Sequence, residues 1–189
     1  MTFFSGKVVT ITGSSNGIGR GTAVLFASKG AKVVVTGRNS ESLEETKRLC
    51  LHAGASESDL LELIGDVKDA SFLERLVSRT VEKFGRIDVL VNNAGGGNMS
   101  HLGKPILEVP MSDFEEMIDL NVKPIIRLSQ LAVPHLEKTK GAIVNVSSIG
   151  SFLKISPLPF YAAAKSALDQ ITIQMAGSLI KKGIRVNSV

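Results

Sequence analysis

Tyr161 and Lys165 are the side chains in this sequence best suited to proton transfer, and they are four residues apart. The alanine-rich segment that they open predicts a helix, where residues four apart share one face with Cβ atoms roughly 5–6 Å apart. An ammonium group beside a phenol stabilises the phenolate, which makes the phenol a useful acid or base near neutral pH. The alternative is an ordinary amphipathic helix with a solvated lysine, and the spacing alone favours it because short spacings recur by chance.

A pair of hydroxyl groups precedes this helix. The apolar, β-branched run at 142–146 predicts a buried strand, and Ser147 and Ser148 follow it directly. Residues 149–160 contain two prolines and predict a loop that leads to Tyr161. A serine hydroxyl near the phenol would complete a general acid/base site for a carbonyl or an alcohol.

Strands and helices alternate along the whole chain. Apolar runs predict six strands, at 7–12, 32–36, 60–64, 88–91, 142–146 and 184–189. Such continuous apolar strands are typical of a parallel sheet with helices on both faces. Right-handed crossovers then favour an α/β fold with a doubly wound, Rossmann-like sheet, in a single domain over residues 1–189.

The helices carry recognisable start and stop signals. Asn39 or Ser40 is the predicted cap of the second helix, Asp69 caps the third, and Gly85 ends it. Glycine-rich residues 95–110 predict an irregular loop over a site. A capping box of Ser112 and Glu115 then predicts a long helix, with Asn121 in its middle and a kink or break at Pro124.

Composition narrows the functional class. The 189 residues carry a net charge of +4, but their Lys and Arg are scattered, with Trp 0 and Tyr 1, so a nucleic-acid surface is not expected. The single cysteine, the strand that starts at Lys7 and the lack of a long apolar run predict a cytoplasmic protein without a signal peptide or a membrane partner. His101 and His135 have no partners at metal-ligand spacing, so we interpret both as surface or loop residues and predict no metal site.

Glycines 13, 17 and 19 fall where the first strand becomes the first helix. Glycine lets the backbone approach a ligand closely, and the N–H groups at the start of a helix bind phosphate. Ser14, Ser15 and Asn16 can add hydrogen bonds. A tight turn without a ligand is the alternative, although the position after the first strand favours a dinucleotide site.

Residues that follow the second, third and fourth strands are candidate contacts to the dinucleotide, and the first of them bears on its identity. Arg38 stands where an acidic residue would favour NAD, and it can pair with a 2′-phosphate, so we predict NADP (NADPH), with NAD the alternative. Asp66 could accept a hydrogen bond from adenine or simply form a turn. Asn92 and Asn93 stand at the ligand-binding edge, although turn formation explains them equally well.

Together these stretches resemble the short-chain dehydrogenase/reductase family. The resemblance implies that Tyr161 is the catalytic acid/base, that Lys165 favours its phenolate and holds the nicotinamide ribose, and that Ser148 orients the substrate oxygen. It also implies that Asn121 holds a water that links Lys165 to a proton relay. The implied cofactor-binding residues are Gly13, Ser14, Ser15, Asn16, Gly17, Ile18, Gly19, Arg38, Asp66, Val67, Asn93, Ala94, Gly95, Tyr161 and Lys165.

The implied activity is that of an NADP(H)-dependent oxidoreductase, which interconverts a small-molecule carbonyl and a secondary alcohol. Family members usually continue past a sixth strand into a substrate lid and a seventh strand, so we expect these to be lacking in a chain that ends at Val189. We expect a homo-oligomer if the chain is complete. The alternative function is that of a catalytically inactive nucleotide-binding or interaction module.

Overall fold

Six parallel strands form one sheet in the computed structural model, which describes residues 3–153 and 157–189. The sheet order is β3-β2-β1-β4-β5-β6, which confirms the predicted doubly wound sheet, although the alternation of strands and helices does not itself give the order of the strands. The strands are β1 (Val8–Ile11), β2 (Lys32–Gly37), β3 (Leu60–Ile64), β4 (Val89–Asn92), β5 (Ala142–Asn145) and β6 (Arg185–Ser188).

Helices cover the sheet from both sides because alternate residues of each strand face opposite ways. The helices are α1 (Gly17–Ser28), α2 (Ser40–His52), α3 (Ala70–Phe84), α4 (Met111–Asn121), α5 (Lys123–Thr139) and α6 (Pro159–Leu179). Val9 and Ile11 of β1 pack with α1 and α2, whereas Val8 packs with α3 and α5. In the described part of the chain, no helix is long and apolar enough to cross a membrane.

Most of the predicted helix boundaries are confirmed. The Asn39 side chain accepts from the N–H of Ser42, the Asp69 side chain caps α3, and Gly85 ends α3 with φ +75°. The predicted break near Pro124 is also confirmed, since α4 ends at Asn121 and a new helix begins at Lys123.

Three local predictions are wrong. The capping box at Ser112 does not start α4, because Pro110 holds an extended backbone and the helix begins directly after it, at Met111. Asn121 is therefore the last residue of α4 and not a mid-helix residue. The predicted loop at 149–160 holds a short 3₁₀ helix at Ile149–Ser151, and its end belongs to α6, which begins at Pro159 because proline suits a first helical turn. Residues 154–156 of that loop lie outside the described residues.

A buried carboxylate fixes the edge of the sheet opposite the strand carboxyl ends. Asp88 is 4% exposed, accepts from the N–H of Val8 at 2.9 Å, and pairs with Arg86 at 2.6 Å and Lys7 at 3.3 Å. Burial alone would raise the pKa of Asp88, but the hydrogen bonds from Arg86 and Val8 outweigh burial and hold the pKa below its ordinary value of 3.8. Asp88 therefore ties β1 to β4 as an ion.

Candidate active site

A cleft of about 550 Å³ opens at the carboxyl edge of the sheet. It is centred where β1 and β4 lie side by side, which is the point where the strand order reverses and where ligands bind in doubly wound folds. Its walls include residues predicted from each part of the sequence: Gly13, Ser15, Asn16, Gly17, Ile18, Arg38, Asp66, Val67, Asn93, Ala94, Gly95, Tyr161 and Lys165.

The turns after β1 and β4 are locked together at the base of the cleft. Gly13 has φ +63°, and a side chain there would lie 2.8 Å from the Cα of Ala94. The Thr12 hydroxyl accepts from the N–H groups of Asn93 and Ala94, both at 3.0 Å, and the Asn93 side chain donates to the carbonyls of Thr12 and Gly13. Only glycine at position 13 allows this close approach.

Ser14 and Gly19 are absent from the residues that line the cleft. The Ser14 hydroxyl is fully buried and accepts from the N–H of Thr36 at 2.8 Å, so it joins β1 to β2 rather than offering a hydrogen bond to a ligand. The Thr46 hydroxyl donates to the Ser14 carbonyl at 2.9 Å, and Arg20 donates to the carbonyl of Ser15. Side chains of both α1 and α2 therefore hold the glycine turn from behind.

Arg38 and Asp66 stand together at the end of the cleft bordered by β2 and β3. The Arg38 guanidinium is 3.8 Å from the carboxylate of Asp66, and 76% of its side chain is exposed. Asp66 accepts from the N–H of Lys68 at 2.9 Å, which is the turn-forming contact that we considered from the sequence. Its second oxygen faces Arg38, so the two side chains present opposite charges within one wall.

Lys165 is the buried cation of the site. Its Nζ lies 5.7 Å from the centre of the Tyr161 ring and donates to the Val146 carbonyl at 2.8 Å, with 3% of the residue exposed. Burial lowers the pKa of Lys165 to about 8, and the negative charge of Asp169 opposes this shift. The two residues lie on one face of α6, as predicted from their spacing.

The two serines after β5 have different surroundings. Ser147 lines the cleft, and its buried hydroxyl has no hydrogen-bond partner within residues 3–153 and 157–189. Ser148 is absent from the cleft walls; its hydroxyl accepts from the N–H of Gly150 at 3.1 Å and caps a 3₁₀ turn. A hydroxyl that accepts one hydrogen bond keeps its proton for another, so Ser148 still has a donor to offer.

Asn121 supports the loop over the site. Its side-chain oxygen accepts from the N–H of Gly96, and its amide donates to the carbonyls of Gly96 and Met117, each at 3.0 Å. A side chain at Gly95 would lie 2.7 Å from the Asn121 oxygen and 3.3 Å from the Lys165 amine. The loop is therefore held against both residues, and the water-mediated role of Asn121 stays a prediction.

A comparison with known protein families matches residues 7–189 to a model described as short chain dehydrogenase. The chain belongs to the short-chain dehydrogenase family. A curated relative, the meso-2,3-butanediol dehydrogenase of Serratia marcescens, is 34% identical over 186 residues, which cover 98% of this chain and 70% of the relative.

Two solved structures from Caenorhabditis elegans show the same fold. A glucose dehydrogenase in its apo form is 47% identical with a TM-score of 0.89, covering 99% of this chain and 74% of that one. A short-chain dehydrogenase/reductase with bound cofactor is 45% identical with a TM-score of 0.92. The match covers 98% of this chain and 69% of that one. The predicted family, the fold and the oxidoreductase class are thereby confirmed, and the family uses NAD(P)(H).

The cleft of this short-chain dehydrogenase also has walls that we did not assign to the site from the sequence. These residues are Thr36, Gly37, Gly65, Leu120, Val146 and Ser147. All but Leu120 stand at or just after the end of a strand, so a search of every strand end would have found them. Leu120 lies on α4, and only the packing of that helix brings it to the cleft.

The sequence also did not predict the buried polar contacts beneath the cleft. The Asn92 amide donates to the Asn145 oxygen and the Asn145 amide donates to the Thr172 hydroxyl, both at 2.8 Å. These two hydrogen bonds link β4, β5 and α6.

His101 lies in a loop, as predicted, but it is half-buried and contacts Asp113. No cluster of three or more metal-ligating side chains occurs in the described ranges.

Proposed function

We propose that this chain is an NADP(H)-dependent oxidoreductase that interconverts a carbonyl and a secondary alcohol, with Tyr161 as the general acid/base. One observation carries the proposal: the Tyr161 and Lys165 side chains line the same cleft as the glycine turn. A nucleotide-binding turn and a proton-transfer pair within one cavity are what hydride transfer to a carbonyl requires.

The cleft fits a dinucleotide. The turn from Gly13 to Asn16 leads into α1, whose first N–H groups and positive end would hold the pyrophosphate. Asp66 and Val67 would border the adenine, and residues 93–95 would border the nicotinamide half. Side chains at Gly13 and Gly95 would lie 2.8 Å from Ala94 and 2.7 Å from Asn121, so the turns that border the cleft can pack this closely only with glycine at both positions. When bound, the nicotinamide supplies or accepts the hydride.

Arg38 supports the choice of NADP over NAD. It follows β2, lines the cleft, and has an exposed guanidinium that can reach a 2′-phosphate in a charge-assisted contact. Asp66 lies 3.8 Å from that guanidinium. No acidic side chain replaces Arg38 at the end of β2, where it would accept hydrogen bonds from the ribose of NAD.

The proton chemistry belongs to four side chains. Tyr161 protonates the carbonyl oxygen during reduction and accepts the proton back during oxidation. The Lys165 ammonium, held by the Val146 carbonyl and 5.7 Å from the centre of the Tyr161 ring, would bind the nicotinamide ribose hydroxyls. Ser148 would orient the substrate oxygen with its hydroxyl proton, and Asn121 would hold the water of the proton relay.

The substrate is proposed to be a small molecule with an oxidisable hydroxyl group. The relatives named above are called dehydrogenases of butanediol and of glucose, both of which carry several hydroxyls. A cytoplasmic location and a homo-oligomeric assembly remain predictions for this chain.

The proposal is tested by measuring absorbance at 340 nm with NADPH and a panel of ketones, including acetoin and cyclohexanone. Tyr161→Phe should lower turnover at least about 100-fold and leave the affinity for NADPH unchanged within about threefold, because the phenol hydroxyl is needed for the proton and not for the pyrophosphate. Turnover by Tyr161→Phe at the wild-type rate would refute the mechanism. Thermal stabilisation by NADPH with no turnover of any ketone would favour the alternative, an inactive nucleotide-binding module.

A further inference from the structure

Tyr161 lines a second, smaller cavity as well as the main cleft. This cavity has a volume of about 20 Å³ and lies between the loop after β4, the first half of α4 and the start of α6. Most of its walls are apolar, with Met117, Leu158 and Phe160 among them. It therefore has room for about one small group, such as a substrate hydroxyl, beside Tyr161.

His101 and Asp113 form the polar wall of this cavity. The Nδ1 atom of His101 lies 2.7 Å from a carboxylate oxygen of Asp113, which is 8% exposed and stands in the first turn of α4. An ionised carboxylate only accepts hydrogen bonds, so Nδ1 carries the proton in this pair. The carboxylate thus fixes the orientation of the imidazole ring.

The contact with Asp113 uses only one of the two ring nitrogens of His101. Its Nε2 has no hydrogen-bond partner in the ranges 3–153 and 157–189, and the ring lines the cavity. Asn98 also lines the cavity, but its amide donates to Glu116 and its oxygen accepts from the N–H of Ser100. The Asn98 side chain is therefore already used within the loop and α4.

We propose that His101, oriented by Asp113, is a specificity-determining residue that bonds a second oxygen of the substrate. The inference rests on the proposed function and deepens it: the preferred substrates are ketones or alcohols that carry a further hydroxyl group away from the reacting carbon. The hydroxyl enters the small cavity and bonds Nε2.

The test compares pairs of ketones that differ only in the remote group. Cyclohexanones with a hydroxyl at carbon 2, 3 or 4 are compared with the methyl-substituted ketone of the same position, since hydroxyl and methyl groups are similar in size. The wild-type chain should prefer at least one hydroxyl isomer about tenfold in kcat/KM, the value of one good hydrogen bond.

Two variants separate binding from support of the loop. In His101→Asn the side-chain amide replaces Nδ1 and keeps the contact with Asp113, but nothing replaces Nε2. It should reduce the tenfold preference to less than about twofold and leave the rate with the methyl ketone nearly unchanged. His101→Gln places an amide near the position of Nε2 and should retain part of the preference.

Three results would count against these proposals in different ways. Equal kcat/KM for every hydroxyl and methyl pair in the wild-type chain would overturn the role of His101 alone. Equal losses for both members of a pair in His101→Asn would show that the histidine only supports the loop, and would also overturn the role. Failure of the wild-type chain to reduce any ketone would overturn the proposed oxidoreductase activity, and this inference with it.

Discussion

Replacement of Lys165 by methionine should stabilise the cofactor-free protein and abolish its turnover. Methionine has a similar length and fills the same buried space without a charge. The ammonium group is costly there because burial disfavours the charged form, which is why the pKa of Lys165 falls to about 8. The same charge is needed for the proposed chemistry, so stability and activity should change in opposite directions.

The size of the effect follows from the pKa. A fall from the ordinary value of 10.5 to about 8 corresponds to roughly 3 kcal/mol, at 1.36 kcal/mol per unit. Methionine leaves the Val146 carbonyl without its 2.8 Å hydrogen bond, which costs about 1 kcal/mol. Lys165→Met should therefore be more stable than the wild-type chain by about 2 kcal/mol at pH 7.

The dependence on pH gives a second, sharper signature. Below pH 8 both the folded and the unfolded wild-type chain carry the charge on Lys165, so the folded state bears the full cost of burying it. Between pH 8 and 10.5 the folded state releases this proton before the unfolded state does, so the wild-type chain gains stability relative to the variant. The difference of about 2 kcal/mol should shrink and then reverse sign.

Urea denaturation of both chains, followed by circular dichroism at pH 7, 9 and 10, measures this difference. Comparing two chains cancels the titration of all the groups that they share. Lys68→Met, at an exposed position, is the control and should change stability by less than about 0.5 kcal/mol. A less stable Lys165→Met at pH 7, or a difference that stays constant from pH 7 to 10, would refute the reasoning.

Three further predictions concern other residues. Ser148→Ala should lower kcat/KM about 100-fold and Ser147→Ala less than about threefold; the reverse order in steady-state kinetics would exchange their roles. Arg38→Leu should raise the Kd for NADPH about 10- to 100-fold and leave that for NADH unchanged, as fluorescence titration can show. Asp88→Asn should lose about 2 kcal/mol at pH 7. Since folding lowers the pKa of Asp88, its contribution is present above pH 3.8 and lost as the pH falls below that value, so denaturation curves of wild type and variant should converge in acid.

The position of the site could be predicted from the sequence because its parts are local. Glycine turns, strand ends and a four-residue helical spacing each depend on neighbours along the chain, and the parallel sheet brings all strand ends to one edge. Gly13 and Lys165 are far apart in sequence and still line one cleft for that reason.

Contacts between strands that are distant in sequence could not be predicted. The hydrogen bond between Asn92 and Asn145 requires that β4 and β5 be neighbours, and local patterns do not give the strand order. The contact of His101 with Asp113 depends on the path of an irregular loop. Ser14 looked like a ligand contact because its position was right, but its side chain is turned into the β1–β2 pair.

The capping box at Ser112 failed for another reason. A serine followed three residues later by a glutamate is a sound local signal for the start of a helix. Pro110 restricts the backbone before that serine, however, and the helix begins directly after the proline, at Met111. Proline restricts the backbone directly, whereas a cap contributes only about 1 kcal/mol. The stronger constraint decided the boundary.

The hydroxyl of Thr12 and the amide of Asn93 form a seam between two halves of the enzyme. Residues before the seam, up to Val67, supply the proposed adenosine and phosphate contacts, and residues after it supply Tyr161 and Lys165. Because these two sets of residues come from separate parts of the chain, nucleotide preference and ketone preference can drift independently during evolution. A hybrid gene joined between β3 and α3 would be expected to inherit each trait from a different parent.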